Sequence, residues 1–307
     1  MHSTKRVAVI TRTKNRPLLL DRARLSVTGQ SLTDLVWIIV NDGGDRDHVE
    51  AIATAARSAG TEVQVVHHDV SRGMEAATNA GLAAAPSDYV TIHDDDDSWD
   101  RDFLRETVGF LDSAPGYGGV TTRFRKIQER MGQEEVEILR RLDAEGPRGA
   151  VHIADMVLSN PFPPIAFLYR RRVLDAIGPY REDFPVLGDW EFNLRFIREA
   201  DIACLDACLA NYHHRVGGAT GANGNSVTDA GLAHLRQDAV FRNALLREDL
   251  AAGRPGIGVL LTLGHAHWNT RHQTAEAARR AAAGPVLRRI KEIAIAARDS
   301  LGRLLSR

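Results

Sequence analysis

Residues 89–99 read Tyr-Val-Thr-Ile-His-Asp-Asp-Asp-Asp-Ser-Trp, a short strand pattern that runs into four consecutive aspartates. In a parallel α/β sheet, ligands bind at the carboxyl ends of the strands. Two like charges ~4 Å apart repel by roughly 4 kcal/mol at an effective dielectric of ~20, so four adjacent carboxylates need a cation or positive side chains nearby. Carboxylates two residues apart can both reach a divalent metal that carries phosphate oxygens. The alternative is a solvated acidic turn that caps a helix beginning near Asp100.

The strand before the aspartates is the fourth in a regular series. Apolar runs and helical patterns alternate over the first hundred residues, with strands predicted at 6–11, 35–40, 63–67 and 89–92 and helices at 18–28, 46–58 and 74–85. The second run is continuously apolar, which fits a strand covered on both faces. This βαβαβαβ order predicts an α/β fold with a Rossmann-like, mostly parallel sheet and helices on both faces.

The second half of the chain is less regular. Residues 128–150 are charged and contain glycine, which predicts a flap, and residues 165–213 return to a mixed α/β pattern. A Gly/Asn-rich loop at 214–228 follows, and no strand pattern occurs beyond it. We therefore predict two parts, an α/β domain over 1–228 and a C-terminal helical region over 229–307.

Composition limits the classes of protein. The chain has 307 residues and a formal net charge of −1, which argues against a nucleic-acid binder because such proteins carry a basic excess. A hydrophobic content of 44% and a charged content of 26% are typical of a soluble globular protein. No apolar run approaches the ~18 residues that span a bilayer, and the N-terminus lacks a signal-peptide pattern. These features predict a cytoplasmic protein, with peripheral contact at the cytoplasmic face of the membrane as an alternative.

The two cysteines, Cys204 and Cys208, do not indicate a redox or metal function. They are too few for a disulfide scaffold, and their spacing is not CxxC. The apolar run Ile202–Leu209 around them predicts a buried strand, so we expect both thiols in the core.

Five segments in a fixed order carry a resemblance to a known family, and they are Val7–Asn15, Ile38–Asp45, Ser71–Gly81, Tyr89–Trp99 and Leu187–Arg195. In this order and spacing the chain resembles the family 2 inverting glycosyltransferases with the GT-A fold. The resemblance implies an enzyme that moves a sugar from a nucleoside diphosphate sugar to a hydroxyl of a glycan or lipid-linked acceptor. It further implies inversion at the anomeric carbon and a role in cell-surface polysaccharide synthesis.

The resemblance assigns the donor nucleotide to the ends of the first strands. Asp42 matches the aspartate that hydrogen-bonds the pyrimidine, although Asn41 replaces the aspartate that usually precedes it. A carboxylate suits the N3–H of uracil or thymine, so UDP- or dTDP-sugars are favoured over GDP-sugars. The other implied contacts to the nucleotide sugar are Thr11, Asn15, Arg72, Asp94 near the ribose, Asp95 as a spare carboxylate, and Arg215 at the leaving phosphates.

A divalent ion, Mg²⁺ or Mn²⁺, is also implied by the resemblance. Asp94 and Asp96 match the family's DxD pair, with Asp96 as the direct metal ligand. A histidine near the end of the late strand completes the metal shell or contacts the diphosphate, and the sequence leaves both His213 and His214 open for this role. On the acceptor side, the expected residues are Trp99 and Trp190.

An inverting transfer is a direct displacement, and it needs a carboxylate that takes the proton of the acceptor hydroxyl. The family commonly carries Glu-Asp at the start of a late helix, whereas here Gly188 replaces the glutamate and Asp189 matches the base. Glu191 is the rival. Because residues i and i+2 diverge on a helix, we expect only one of the two acids to face the site. Asp189 has an alternative role as a helix N-cap. A second departure is Thr78, where the family commonly has Arg.

Two other functions stay open on the sequence. A nucleotidyltransferase that makes activated sugars would carry a Gly-rich, basic phosphate loop near the first strand, and Thr11–Asn15 contains no glycine. A non-catalytic nucleotide-sugar-binding protein would need no base, so the presence of Asp189 argues against it.

The C-terminal segment 271–307 is strongly basic. It carries nine Lys or Arg and three acidic residues, a formal charge of +6 in a chain that totals −1. After Pro285 the apolar residues fall on one helical stripe flanked by basic residues, a pattern typical of a helix lying on an anionic membrane surface. The alternative is a stripe that packs on the catalytic domain or on a second subunit of an oligomer.

Overall fold

Strands and helices alternate over the first half of the chain in the computed structural model, which describes residues 5–132, 135–216, 231–271 and 273–279. The elements of this half are β1 (Lys5–Thr13), α1 (Pro17–Thr28), β2 (Leu35–Asp42), α2 (Arg46–Ser58), β3 (Glu62–His68), α3 (Met74–Ala84), β4 (Ser87–Ile92), β5 (Ser98–Trp99) and α4 (Phe103–Ser113). The predicted βαβαβαβ order is confirmed. Helix α1 begins at Pro17, whose fixed φ suits a first helical turn. Helix α2 begins after Asp45, whose side chain accepts hydrogen bonds from the N–H groups of Asp47 and His48.

The second half adds longer strands and further helices. Its elements are β6 (Gly119–Met131), β7 (Val136–Glu145), β8 (Gly149–Ala150), α5 (Ile153–Leu158), a 3₁₀ turn (Pro164–Ala166), β9 (Phe167–Arg170), α6 (Arg171–Ile177), α7 (Gly188–Glu199), β10 (Ile202–Arg215) and α8 (Gly231–Ala251). Residues 257–271 and 273–279 are also helical. Residues 128–150, predicted as a flap, include the end of β6 and the whole of β7 and β8.

The strands form one sheet in the order β3-β2-β1-β4-β9-β6-β10-β5, with β7 paired to β6 and β8 paired to β10. Strands β3, β2, β1 and β4 are parallel to one another, and β6 is parallel to β10. Because β9 is antiparallel to both β4 and β6, the long strands on either side of it point the same way. Their carboxyl ends therefore meet along one edge of the sheet, as the predicted fold class requires.

The core of the parallel half is formed by β1 and β2. Val7 pairs with Leu35 and Thr13 with Asn41, and every residue of β2 is buried. Helix α3 packs closely on these strands, because a Cβ on Gly81 would come 2.5 Å from Ile10 Cγ2. Close packing of this kind fixes the start of α3 at the carboxyl edge of the sheet.

Both cysteines lie on β10, but the prediction that both are core residues is correct only for Cys204. Cys204 is buried and donates its thiol hydrogen to Pro147 O at 2.6 Å, whereas Cys208 is half-buried. The pairing of β10 with β6 shifts register on both sides of Cys208. This irregularity turns the second thiol out of the core.

By its internal contacts the chain divides into Met1–Ala244 and Leu245–Arg307. The first unit contains the whole sheet, and the second contains helical residues among those described. The predicted boundary after residue 228 falls within 217–230, and the predicted amphipathic segment falls within 280–307. Both stretches lie outside the described residues. In the described part of the chain, no helix is long and apolar enough to cross a membrane.

Candidate active site

A cavity of about 560 Å³ lies at the carboxyl edge of the sheet. Its lining comes from the ends of β1, β2, β4 and β10 and from the starts of α3 and α7. The lining residues predicted from the sequence are Asn15, Asp42, Asp94, Asp95, Asp96 and Asp189. Thus the acidic loop after β4 and the acidic start of α7, far apart in the chain, face the same space.

The first carboxylate of the acidic loop, Asp94, is held by an arginine from β1, the neighbour of β4 in the sheet. Arg12 donates to Asp94 from Nε at 2.8 Å and from Nη2 at 3.3 Å. Its Nη1 donates to Glu75 Oε2 at 3.2 Å and to Thr78 Oγ1 at 2.9 Å. The positive side chain that four adjacent aspartates require is therefore present, and it also bonds Thr78, where the family commonly has Arg.

Asp95 and Asp96 share a second arginine. Arg16 Nη1 lies 3.2 Å from Asp95 Oδ1 and 3.6 Å from Asp96 Oδ2, and Arg215 Nη2 donates to Asp96 Oδ2 at 2.7 Å. Burial opposes ionisation of Asp96, but Arg215 and Arg16 outweigh it and hold its pKa below the usual range. Asp96 is therefore ionised at neutral pH, as a metal ligand must be.

Asp97 bonds to β10. Its Oδ1 accepts a hydrogen bond from the backbone N–H of His213 at 2.8 Å. Burial and the neighbouring charges of Asp96 and Asp94 raise its pKa well above the usual range. Asp97 thus links the acidic loop to β10 through a buried hydrogen bond.

The two histidines of β10 have different surroundings. His213 uses both ring nitrogens: Nδ1 lies 2.7 Å from Glu129 Oε2, and Nε2 lies 2.9 Å from Ser98 Oγ. His214 Nε2 is buried and has no hydrogen-bond partner within the described ranges. Its ring packs edge-on against Tyr212, which lines the cavity, with 4.4 Å between the ring centroids. Burial lowers the pKa of His214, so its ring is neutral and its nitrogen can act as a ligand.

Asp189 sits in the first turn of α7 and faces the cavity. Its Oδ1 accepts from the N–H of Trp190 at 2.8 Å, and its Oδ2 accepts from Asn160 Nδ2 at 2.8 Å. Burial raises its pKa above the usual aspartate range. Leu187, just before the helix, has a left-handed backbone with φ of 66°, which is uncommon for a residue with a side chain. This conformation sets the direction in which α7 starts.

Glu191 does not face the cavity. Its side chain is buried and paired with Arg195, whose Nε and Nη2 donate to its two oxygens, each at 2.8 Å. As expected for residues two apart on a helix, only Asp189 lines the cavity. The assignment of Glu191 as a catalytic residue is therefore corrected: it supports the packing of α7.

Asp42 is the most densely bonded acid of the cavity. Its Oδ1 contacts His68 Nδ1 at 2.8 Å and accepts from the N–H of Arg72 at 2.8 Å, while Oδ2 accepts from Ser71 Oγ at 2.6 Å and from the N–H of Gly73 at 3.1 Å. Burial raises the pKa of this carboxyl, but these hydrogen bonds outweigh burial and lower it overall. Asp42 therefore holds the 71–73 loop at the mouth of the cavity.

Seven further predicted site residues do not line the cavity: His213, His214 and Arg215, described above, and Thr11, Arg72, Trp99 and Trp190. Thr11 is fully buried and accepts a hydrogen bond from Trp37 Nε1 at 2.9 Å. The side chain of Arg72 is exposed and lies 3.7 Å from Glu182. Trp99 stacks on Phe103 and donates to Ile165 O at 2.6 Å, and Trp190 donates to Met156 O at 2.7 Å beneath the guanidinium of Arg242. Both tryptophans are core residues, which corrects their predicted place on the acceptor side.

Three residues of the site carried no assignment from the sequence. Arg12 lies within the first quoted motif, but nothing local marks it as the partner of Asp94. Asn160 orients Asp189 from a proline-rich loop, and Glu75 lies buried at the start of α3 while still lining the cavity. Their partners are distant in the chain, so only the folded arrangement identifies them.

Comparisons with known proteins show the family of the chain. The family model described as Glycosyl transferase family 2 matches residues 8–178. A PGL/p-HBAD biosynthesis glycosyltransferase of Mycobacterium bovis is 27% identical over 193 residues, which are 61% of this chain and 68% of that protein. The uncharacterized glycosyltransferase YwdF of Bacillus subtilis is 25% identical over 194 residues, 63% of this chain and 69% of YwdF.

Solved structures give the same fold. TarS 1–349 of S. aureus in complex with UDP-GlcNAc matches with a TM-score of 0.55 at 18% identity, over 69% of this chain and 60% of that chain. The mannosyltransferase PcManGT from Pyrobaculum calidifontis in complex with GDP-Man and Mn²⁺ matches with a TM-score of 0.54 at 16% identity, over 92% of this chain and 76% of that chain. At these identities the likeness concerns the fold.

Proposed function

The chain belongs to glycosyl transferase family 2 and has the GT-A fold, and we propose that it is an inverting, metal-dependent enzyme acting on a nucleoside diphosphate sugar. The observation that carries the proposal is the shared cavity: the acidic loop at Asp94–Asp96 and the carboxylate of Asp189 line the same space. The acids of the loop Asp94–Asp96 suit the diphosphate end of a donor, and the carboxylate of Asp189 suits the hydroxyl of an acceptor.

The charges of the cavity support a divalent ion. Its described lining has six carboxylates but only three Lys or Arg side chains; these residues are Asp42, Glu75, Asp94, Asp95, Asp96 and Asp189 against Arg12, Lys14 and Arg16. An anionic diphosphate would meet net repulsion in such a space. A bound divalent cation would reduce that repulsion.

The available donor atoms fit Mg²⁺ or Mn²⁺. Asp96 offers an ionised carboxylate, and His214 Nε2 is a buried nitrogen that lacks a partner among the described residues. No group of three or more His, Cys, Asp or Glu side chains in the described part of the chain could hold a metal by itself. An ion held by Asp96 and His214 would therefore complete its shell with diphosphate oxygens and water, as Mg²⁺ commonly does. When bound, the ion would stabilise the charge of the leaving diphosphate.

Asp189 is our candidate for the general base. The raised pKa of this carboxyl makes it a better proton acceptor than an exposed aspartate, and Asn160 holds its orientation. In the proposed step, an acceptor hydroxyl gives its proton to Asp189 while its oxygen bonds to the anomeric carbon. The bond from that carbon to the diphosphate oxygen breaks on the opposite face, which inverts the anomeric centre. The nucleoside diphosphate leaves with the electron pair.

We propose UDP- or dTDP-sugars as donors because Asp42, at the end of β2, offers carboxylate oxygens at the edge of the cavity. Asp42 already has four hydrogen-bond partners, which are His68, Ser71, Arg72 and Gly73. The N3–H of a bound uracil or thymine would replace one of these partners or share the same carboxylate oxygen with it. The two solved relatives carry UDP-GlcNAc and GDP-Man, so donor choice varies within this fold.

For the acceptor we propose a glycan or a lipid-linked sugar of cell-surface polysaccharide synthesis. The mycobacterial relative is named for PGL/p-HBAD biosynthesis, a biosynthetic rather than a degradative role. Cytoplasmic location, and contact of the basic C-terminal segment with a membrane or a second subunit, remain predictions from the sequence. Membership of a glycosyltransferase family argues against the nucleotidyltransferase alternative.

Calorimetric titration tests the proposal directly. UDP, dTDP and GDP are titrated into the full chain with Mn²⁺ and, separately, with EDTA. In a second assay, transfer or hydrolysis of the matching sugar nucleotides is measured from the amount of nucleoside diphosphate released. We expect binding of UDP or dTDP that needs Mn²⁺, and product with a β-linkage from an α-linked donor. Retention of anomeric configuration would contradict the inverting mechanism, and metal-independent turnover would contradict the metal site.

A further inference from the structure

Glu75 is a buried acid in the lining of the cavity. It is the second residue of α3 and only 5% exposed, yet it lines the cavity together with Asp189. Its Oε2 accepts a hydrogen bond from Arg12 at 3.2 Å. Its Oε1 has no hydrogen-bond partner in the parts of the chain that the structure describes.

The carboxyl group of Glu75 occupies space next to Gly188. A Cβ placed on Gly188 would overlap Glu75 Oε1 and would come within 2.8 Å of Glu75 Cγ. Any side chain at position 188 would therefore push Glu75 out of its place. The glycine at the start of α7 leaves room for a carboxylate that comes from α3, directly beside the backbone of Asp189.

The fold alone does not account for this carboxylate. Arg12 already makes two hydrogen bonds to Asp94, so one guanidinium serves two acids. Burial raises the pKa of Glu75 to about 7, which means that its charge is poorly compensated. Glu75 lines the cavity, and its Oε1 makes no hydrogen bond to the described residues, so this oxygen can accept a hydrogen bond from a bound ligand.

Position decides the chemistry of that ligand. Glu75 lies beside Gly188, the residue before the proposed base Asp189, and its partner Arg12 differs from the arginines that pair with Asp96, the proposed metal ligand. The group of a sugar nucleotide that lies beside the base is the sugar. A carboxylate oxygen there would accept a hydrogen bond from a ring hydroxyl.

We propose that Glu75 determines donor specificity by accepting a hydrogen bond from a hydroxyl of the transferred sugar, in the space that Gly188 leaves open. The inference rests on the proposed function. A site built to bond a hydroxyl discriminates strongly against sugars that lack it or present it in the other configuration. Glu75 touches the sugar in this proposal, while Arg12 fixes the orientation of its carboxylate.

The test separates the sugar from the nucleotide. Wild type and Glu75→Gln are titrated in the presence of Mn²⁺ with UDP, UDP-glucose, UDP-galactose and UDP-GlcNAc. Should the UDP series not bind, dTDP, dTDP-glucose, GDP and GDP-mannose are titrated in the same way. For the sugar nucleotide that wild type binds most tightly, we expect Kd to rise about 10-fold to 100-fold in Glu75→Gln. We expect Kd for the matching nucleoside diphosphate to change less than about 2-fold. Glu106→Gln, an exposed change on α4, is the matched control.

A second pair of variants tests the contact with Gly188. Gly188→Ala should cause the same selective loss of sugar-nucleotide affinity, because its Cβ displaces Glu75. The double variant Glu75→Ala/Gly188→Ala should lose no more than Glu75→Ala alone, since both changes remove the same interaction. Gly109→Ala, on α4 where a Cβ would meet nothing within 4 Å, is the control for adding a methyl group to a helix.

The outcomes distinguish the two proposals. If wild type binds no nucleotide sugar, the proposed function fails, and this inference fails with it. If wild type binds one and Glu75→Gln weakens the sugar nucleotide and the free nucleoside diphosphate equally, the proposed function stands. In that case Glu75 acts through Arg12 and Asp94 on the nucleotide, and the sugar contact is wrong. Unchanged affinities in Glu75→Gln would also overturn the contact.

Discussion

Arg12 at the end of β1 holds Asp94 after β4 by two hydrogen bonds, from Nε to Oδ1 at 2.8 Å and from Nη2 to Oδ2 at 3.3 Å. The same side chain bonds Glu75 and Thr78 on α3, so one guanidinium joins three elements at the carboxyl edge of the sheet. Because its planar fork makes all these bonds at once, no other side chain can replace it.

We expect Arg12→Met to lower the free energy of unfolding by about 3–5 kcal/mol, since it leaves the buried carboxyl of Glu75 and the half-buried carboxylate of Asp94 without this partner. Urea denaturation followed by circular dichroism measures this loss. The matched control is Arg46→Met, which removes an exposed ion pair with Asp69 that is 2.6 Å long. An exposed pair contributes at most about 1 kcal/mol, so the control should be nearly neutral. Equal effects of the two changes would show that the Arg12 cluster does not stabilise the fold.

Asp96→Asn should remove most transfer activity and the Mn²⁺ dependence of nucleotide binding. A carboxylate that holds the ion contributes several kcal/mol to the transition state, so kcat/KM should fall by about 10²-fold or more. Steady-state release of nucleoside diphosphate measures the first effect, and calorimetry with and without EDTA measures the second. Asp143→Asn, an exposed change on β7, is the control. Near-native turnover of Asp96→Asn would place the metal elsewhere.

Asp189→Asn keeps the shape of the base but removes its ability to take a proton. We expect kcat to fall by roughly 10²–10⁴-fold with little change in donor Kd. Glu191→Gln should instead act on stability, because it weakens the buried pair with Arg195 and leaves the cavity unchanged. An inactive Glu191→Gln alongside an active Asp189→Asn would reverse the two assignments.

The acid limb of the pH–rate profile reports on the same group. Because a base works only when deprotonated, activity is lost as the pH falls through the pKa of Asp189. Burial raises that pKa, so kcat/KM should begin to fall at a higher pH than an exposed aspartate would give. Initial rates at low donor concentration between pH 4 and 9 measure this limb. A flat profile down to pH 4 would contradict the raised pKa.

Glu75 should make the fold less stable as the pH rises. Its pKa is raised from 4.5 to about 7 by burial, so the folded state binds a proton that the unfolded state has released between these values. Stability therefore falls as the pH increases from 4.5 through 7. Relative to wild type, Glu75→Gln should gain up to roughly 3 kcal/mol between pH 4.5 and pH 8. Urea midpoints at the two pH values measure the gain, and a constant difference between the proteins would contradict the shift.

The alternation of strands and helices could be predicted because each element has a local signal: an apolar run for β2, Pro17 for the start of α1, four aspartates for the end of β4. The acids of the cavity followed from the same signals, since parallel strands end at one edge. Residues that meet through the fold gave no such signal. Arg12, Asn160 and Glu75 act on distant partners. Trp99 and Glu191 looked functional in the sequence, but packing and a helical ion pair use their side chains.

The contact between Glu75 and Gly188 also constrains how this sequence can evolve. A side chain gained at position 188 displaces the carboxyl group of Glu75 and removes the proposed sugar contact, so the two positions are expected to change together. Related sequences should then carry an acid at one of the two positions but seldom at both. If the carboxylate moved from α7 to α3, the cavity would keep its acid. The Glu-Asp pair that the family commonly carries at the start of α7 would be lost from the sequence. Searches that rely on adjacent residues would overlook such a branch of the family.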